Sequence, residues 1–258
     1  MTSHSDSSLK SSTAPGPEKD SLIFLTAQWK WLVMVNYICN PEHLKPWLPA
    51  GTEIDCWNNN CYLSLVGFQF HDTRVKGFSF PLHQNFEEIN LRFYVRRETA
   101  AGLKKGVVFI REFVPKPMIT MVANWLYGEN YKTAATRSRI LIEDEQVDVK
   151  YEWRTGGRWH QVMASAALEG KRIVNGSEEE FITEHFWGYV KRRKNVTTEY
   201  RVDHPGWEIC PIKETKVDVD FEKLYGKQFS FLNDQSPKSV FLARGSAVSV
   251  CEGKRIRT

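Results

Sequence analysis

From Leu22 onward, apolar and polar side chains alternate in short runs separated by turn residues, and this spacing predicts strands. The runs fall at Trp29–Cys39, Cys61–Phe70, Asn85–Arg96, Gly106–Val114, Thr136–Glu143, Val147–Arg154, Arg158–Ala167, Trp187–Arg192, Val196–Val202, Trp207–Asp218 and Ser239–Val250. Gly156-Gly157 has the chemistry of a hairpin turn. Three short helical signals interrupt the strands. Asn40 caps a start at Pro41, in a helix limited to two turns by Pro46 and Pro49. A second helix is predicted over Pro117–Tyr127, stopped by Gly128. A third begins at the capping box Ser177-Glu178-Glu179-Glu180 and ends near His185. Short helices among many antiparallel strands predict a mainly β (α+β) domain built as a barrel or sandwich, without βαβ units.

Residues 1–21 are rich in Ser, Thr, Pro and Gly and are expected to be a disordered tail; residues 22–258 are expected to form one domain. The aromatic content of 13% with nine tryptophans suits strands and a walled pocket. A net charge of +4, from 35 basic and 31 acidic residues, sets up no field that would select nucleic acid. The one dense basic run, Lys191-Arg192-Arg193-Lys194, reads as a solvated hairpin tip. No apolar run reaches the roughly 18 residues needed to span a bilayer, and no signal segment is legible, so a cytoplasmic chain with no membrane or nucleic-acid partner is expected. The five cysteines have no paired motif spacing and are read as free buried thiols.

Phosphate-cradling, dinucleotide, nucleophile-elbow and zinc-helix motifs are absent, so neither a cofactor nor a metal is expected. The strand Asn85–Arg96 carries the clearest chemistry. Alternation puts Glu88, Asn90, Arg92 and Tyr94 on one face, which is either solvent-facing or the wall of a cavity. Glu88 could serve as an acid/base or could be salt-bridged to Arg92 or Arg96. Arg92 could bind a carboxylate through its planar fork or hold Glu88 in place. Lys132 stands just past the Gly128 helix stop, as a cavity amine or as an exposed residue helped by the helix dipole. Tyr131 is a proton donor or a packed aromatic, and His83 a titrating gate or a loop residue. Trp29, Trp31, Trp125 and Tyr127 line a cavity or belong to the core.

Several segments together resemble the YqjF-like uncharacterised family of the acetoacetate decarboxylase-like superfamily. They are Trp29-Lys30-Trp31-Leu32, Pro41 to Pro49, Tyr62 to Val66, Phe86 to Val95, Phe181 to Tyr189 and His204-Pro205-Gly206-Trp207. The resemblance runs from about Leu25 to Val250. It implies curved antiparallel sheets closing into a cone or barrel around a small-molecule cavity, and self-association, for example as a dimer. Acetoacetate decarboxylases carry a Lys-Lys pair whose first member forms a Schiff base and whose second lowers its pKa by repulsion. By position, Tyr131-Lys132 stands in place of that pair, so tyrosine occupies the nucleophile's slot. The superfamily's glutamate maps onto Glu88, and its substrate-carboxylate arginine falls near Lys30.

The expected function is a cavity for a small carbonyl or carboxylate compound and a metal-independent, lyase- or hydrolase-type step. Glu88, Lys132 and Tyr131 are the candidate catalytic residues, and Lys30, Arg92, His83 and Trp125 the candidate substrate contacts. A non-catalytic binding module is the alternative.

Overall fold

A computed structural model describes residues 22–126, 128–193 and 195–257, with the side chains of residues 122, 123, 125 and 126 outside that description. The tail expected over residues 1–21, the residue Tyr127 and the side chain of Trp125 therefore lie outside the described residues.

Seven long strands form a closed hydrogen-bonded ring. In order round it they are Ser239–Cys251, Ile23–Cys39, Asn60–Val75, Phe86–Thr99, Gly102–Val114, Trp187–Arg193 and Val196–Asp203. The pairs Val202 with Val250 and Asp203 with Ser249 return the last strand to the first. Most neighbours are antiparallel. The Gly102–Val114 strand is an exception, pairing in parallel with Trp187–Arg193 and with the short strand Tyr131–Thr133.

A second sheet lies against the outside of part of this ring, in the order Ile212–Asp218, Arg158–Ala167, Gln146–Thr155 and Ala135–Glu143. Its Gln146–Thr155 strand alternates buried and part-buried residues, as a sheet with one covered face must. Val149, Tyr151, Trp153, Val162 and Ala164 from this sheet join Val33, Val35, Leu63, Leu65, Ile89, Leu91 and Phe93 of the ring wall in one core. A second cluster, with Leu32, Met34, Val66, Phe68, Phe70, Phe86, Tyr94 and Trp207, covers the opposite face of the wall.

The turn chemistry forms as read from the chain. Gly156 and Gly157 both have positive φ, 54° and 83°, as a two-residue hairpin of the mirror-image type requires. Ser177 accepts from Glu180 N at 3.2 Å, and Glu180 reaches back to Gly176 N. The helix Pro117–Leu126 is followed by Gly128 at φ 71°.

Three expectations need correction. The segment after Asn40 forms two 3-10 turns, Pro41–His43 and Lys45–Trp47, because Pro46 blocks any longer helix. The run Trp207–Asp218 is two strands. Pro211 has no N–H to donate, so Glu208–Cys210 stays in the ring sheet while Ile212–Asp218 joins the outer sheet. Cys56 and Cys61 are joined by a disulfide, whereas Cys39, Cys210 and Cys251 are free and buried. Asn58 and Asn59 turn the chain with positive φ, bringing the two half-cystines directly opposite at a Cα separation of 4.4 Å. Among the described residues no helix is long and apolar enough to cross a membrane.

Candidate functional site

All seven ring strands contribute side chains to one cavity of about 300 Å³, which is therefore the interior of the ring. Trp29, Phe70, Glu88, Val107, Trp187, Tyr200 and Val250 represent the seven in its wall. Aromatic and aliphatic groups make up most of the lining, with a set of carboxyl, hydroxyl, imidazole and guanidinium groups among them.

Glu88 is 3% exposed and accepts two hydrogen bonds, from Tyr131 Oη at 2.9 Å and from Asn90 Nδ2 at 3.0 Å. Burial pushes its carboxyl up to about 7; the Asn90 and Tyr131 donors and the Arg92 charge oppose that without overcoming it. Glu88 is thus not salt-bridged to Arg96, whose partner is Glu53 at 3.2 Å. Tyr131 reaches Glu88 because its strand runs parallel to Gly102–Val114 and opposes Glu112. Asn124 fixes that turn from both sides, accepting from Tyr131 N at 2.8 Å and donating to Tyr131 O at 3.0 Å.

Two further carboxyls lie beside this pair. Glu112 is 1% exposed and its Oε2 has no hydrogen-bond partner among the described residues. Burial, reinforced by Glu129 and Glu88, holds its carboxyl well above the ordinary carboxylate range. Glu129 accepts from Tyr200 Oη at 2.7 Å, and burial pushes it to about 8. Gly188 makes room for Tyr200, since a Cβ there would meet the Tyr200 ring at 2.1 Å. Both shifts favour the neutral carboxyl and so lessen the negative charge the cavity carries.

Arg92 also lines the cavity. One of its nitrogens, Nη2, caps Ile182 O at 3.2 Å, the guanidinium lies over the Tyr94 ring at 5.6 Å, and Nε is buried with no partner among the described residues. His83 stands at the rim, tied to Pro81 O at 2.9 Å.

Two lysines expected at the site are elsewhere. Lys132 is exposed, because its strand puts Tyr131 inward and the next residue outward. Lys30 is exposed as well. Trp31, at φ 56°, inserts a bulge between Lys30 and Val33, so Trp29 faces the cavity and Leu32 and Met34 take up the same face beyond it. Trp31 packs on the outer core, and Tyr151 Oη donates to its carbonyl at 2.9 Å. Among the described lining residues there is no lysine.

Sequence reasoning missed Glu112, Glu129, Tyr200, His185 and Asp55. Glu112 carried a legible signal, being the one acid in the predicted strand Gly106–Val114. The other four come from turns and distant strands, and only the closed ring brings them together.

The fold is that of the acetoacetate decarboxylase-like proteins. Acetoacetate decarboxylase from Legionella pneumophila superposes with a TM-score of 0.61 at 13% identity, covering 98% of each chain. An acetoacetate decarboxylase-like enzyme from Sphingomonas wittichii RW1 matches with a TM-score of 0.61 at 13% identity, over 91% of this chain and 94% of that one. The enduracididine biosynthesis enzyme MppR complexed with pyruvate gives 0.60 at 13% identity, over 93% and 92%. At such identity the likeness concerns the fold alone. In sequence, the model of the DUF2071 family, described as "Uncharacterized conserved protein (COG2071)", matches residues 26–247, and the chain belongs to that family. No curated protein matches it in sequence.

Proposed function

We propose that the ring interior binds a small carbonyl or carboxylate compound and that Glu88 and Tyr131 carry out a metal-independent, lyase-type proton transfer on it. The observation that carries this reading is the contact between the Tyr131 hydroxyl and a buried Glu88 held near pH 7, inside an apolar cavity. A carboxyl poised there both gives and takes protons at neutral pH. When the bond between a carboxylate and the carbon beside the carbonyl breaks, the carboxylate leaves as CO2, the electron pair of the bond moves into the carbonyl, and Tyr131 gives its proton to the oxygen. Glu88 in its acid form then protonates that carbon, the carbonyl re-forms, the enol proton returns to the tyrosine, and Glu88 takes a proton back from water. Arg92, whose guanidinium borders the cavity, neutralises a carboxylate on the compound. A lining without lysine supports this route over a Schiff base. The pyruvate complex of the similarly folded MppR supports a small oxygenated ligand.

The test is to offer pyruvate, acetoacetate and acetylacetone to the full chain in D₂O. Calorimetry reads binding and proton NMR reads exchange at the carbon beside the carbonyl. Binding with exchange that is lost in Glu88→Gln and Tyr131→Phe is the expected result. Binding without exchange, the compound being recovered unchanged, identifies a binding module, a reading favoured by tyrosine in the nucleophile's slot. No binding of any of the three overturns the ligand reading altogether.

A further inference from the structure

The cavity has an apolar end that the step above leaves unused, and that end opens to the outside. Phe80 and Met118 both line the cavity, yet they are 50% and 55% exposed. The hollow therefore reaches the surface between the loop that follows Phe78–Ser79 and the first turn of the helix Pro117–Leu126. Phe78 and Leu82, two residues to either side of Phe80, are more exposed still, as is Met121 one helical turn beyond Met118.

The inner end of the same path is polar. Along the chain the lining residues run Phe80, His83, Phe86, Glu88 and Arg92, from the mouth to the carboxyl and guanidinium groups. The neighbouring strand repeats the apolar stretch. Its Phe70 pairs with Phe86, the two rings stacking at 4.6 Å, and its Val75 pairs with Leu25 and with Phe78. Phe70, Val75, Leu25 and Ile119 all line the cavity, and none of them carries a charge. Successive inward residues on a strand stand about 7 Å apart. Acetoacetate held between Arg92 and Glu88 thus leaves the stretch from Phe86 to Phe80 uncovered.

Contiguous apolar surface open to water marks a place where an apolar group binds. Here the surface continues inward as the wall of a hollow of about 300 Å³, so the group that covers it enters the ring. A flat partner surface does not. We propose that the ligand of this cavity carries an unbranched acyl tail, as a medium-chain oxo acid does. Its carboxylate and carbonyl lie at Arg92, Glu88 and Tyr131, and its chain runs past Phe86 and Phe70 to emerge between Phe80 and Met118. The inference rests on the ligand reading above and names its substrate class.

The experiment measures by calorimetry how pyruvate, 2-oxohexanoate and 2-oxooctanoate bind to the full chain. These acids lack the 3-oxo arrangement that the step above cleaves, so they are not consumed. Each methylene removed from water tightens binding about threefold, and 2-oxooctanoate should bind at least about 30-fold tighter than pyruvate, its outermost methylenes staying partly wet. In the double variant Phe80→Ser, Met118→Ser, at two half-exposed positions that the fold does not depend on, this ratio should fall several-fold. Methionine methyl NMR gives a second readout. The Met118 methyl should shift with 2-oxooctanoate and not with pyruvate, while Met163 in the outer sheet shifts with neither. A ratio near one in the wild type, or an unchanged ratio in the double variant, overturns the tail and leaves the ligand reading standing. A dimer that dissociates in the double variant, with no gain from chain length in the wild type, assigns the mouth to a second copy and overturns it as well. If none of the acids binds, both readings fall.

Discussion

The two faces of the strand Phe86–Thr99 are equally dry and chemically opposite. Ile89, Leu91, Phe93 and Val95 face the outer sheet and are each 0% exposed; Glu88, Asn90 and Tyr94 face the ring interior at 3%, 2% and 0%. The first face is filled by Tyr151, Trp153 and their neighbours, whereas the second borders a hollow of about 300 Å³. Burial by itself therefore does not mark the site. On the outer face burial stabilises, because apolar area leaves water and dispersion contacts replace it. On the inner face it raises three carboxyls above the ordinary range and leaves Arg92 Nε, Glu112 Oε2 and both His185 nitrogens without a hydrogen-bond partner among the described residues. A fold under selection for stability alone would pair or remove such groups.

The largest expected effect comes from emptying the filled face. Trp153 is fully buried between the sheets, and Trp153→Ala should cost about 3–5 kcal/mol by denaturant unfolding. A loss below about 1 kcal/mol would mean that the outer interface is as loose as the interior, and the contrast would collapse.

Glu88→Gln should act in the opposite direction, and only at higher pH. The folded carboxyl sits near 7, above the ordinary 4.5, so the unfolded chain gives up its proton first as pH rises. Below 4.5 both states are protonated and the group contributes nothing. Between 4.5 and 7 the wild type loses stability, and the loss stays constant above 7. At 1.36 kcal/mol per pH unit the window amounts to about 3 kcal/mol, the two hydrogen bonds that the carboxylate accepts being already counted in the value near 7. Relative to wild type, the glutamine variant should gain about 2–3 kcal/mol between roughly pH 4 and pH 8 in urea unfolding. A difference that does not change with pH would show the carboxylate to be solvated.

Gly188→Ala sharpens the contrast from the wall itself. Its methyl group would displace the Tyr200 ring and with it the donor to Glu129, at a cost of about 1–3 kcal/mol. Chemical-shift changes confined to the cavity and its rim are the expected NMR signature; changes spread over the outer sheet would contradict it.

Much of this arrangement was legible in the chain, because local rules governed it. The strand periods, the Gly156-Gly157 turn, the Ser177 box and the shared face of Glu88 and Arg92 each depend on residues within a few positions of one another. The readings that failed depended on events outside that range. A one-residue bulge at Trp31 decides which way Lys30 points, and nothing in an aromatic run announces it. Pro211 was visible, yet its consequence, a strand passing from one sheet to the other, appears only when both sheets exist. Asp55 and His185 are 130 positions apart and meet because the ring closes.

Lys132 supplies the smallest expected effect and the sharpest discrimination. It is the next residue after Tyr131, and the two differ in nothing but strand parity: the tyrosine hydroxyl enters the cavity and the ammonium group enters solvent. An exposed lysine beyond a helix end touches no packed surface, so Lys132→Ala should change stability by less than about 0.5 kcal/mol. Ligand binding and proton exchange should match the wild type in the same measurements that Tyr131→Phe abolishes. Borohydride added with acetoacetate should leave no mass adduct on Lys132, since its amine lies outside the cavity where the carbonyl binds. An adduct there, or a loss of binding in the alanine variant, would mean that the strand turns over when a ligand enters. The inner face would then present lysine and not tyrosine, and the division between the two faces would fail.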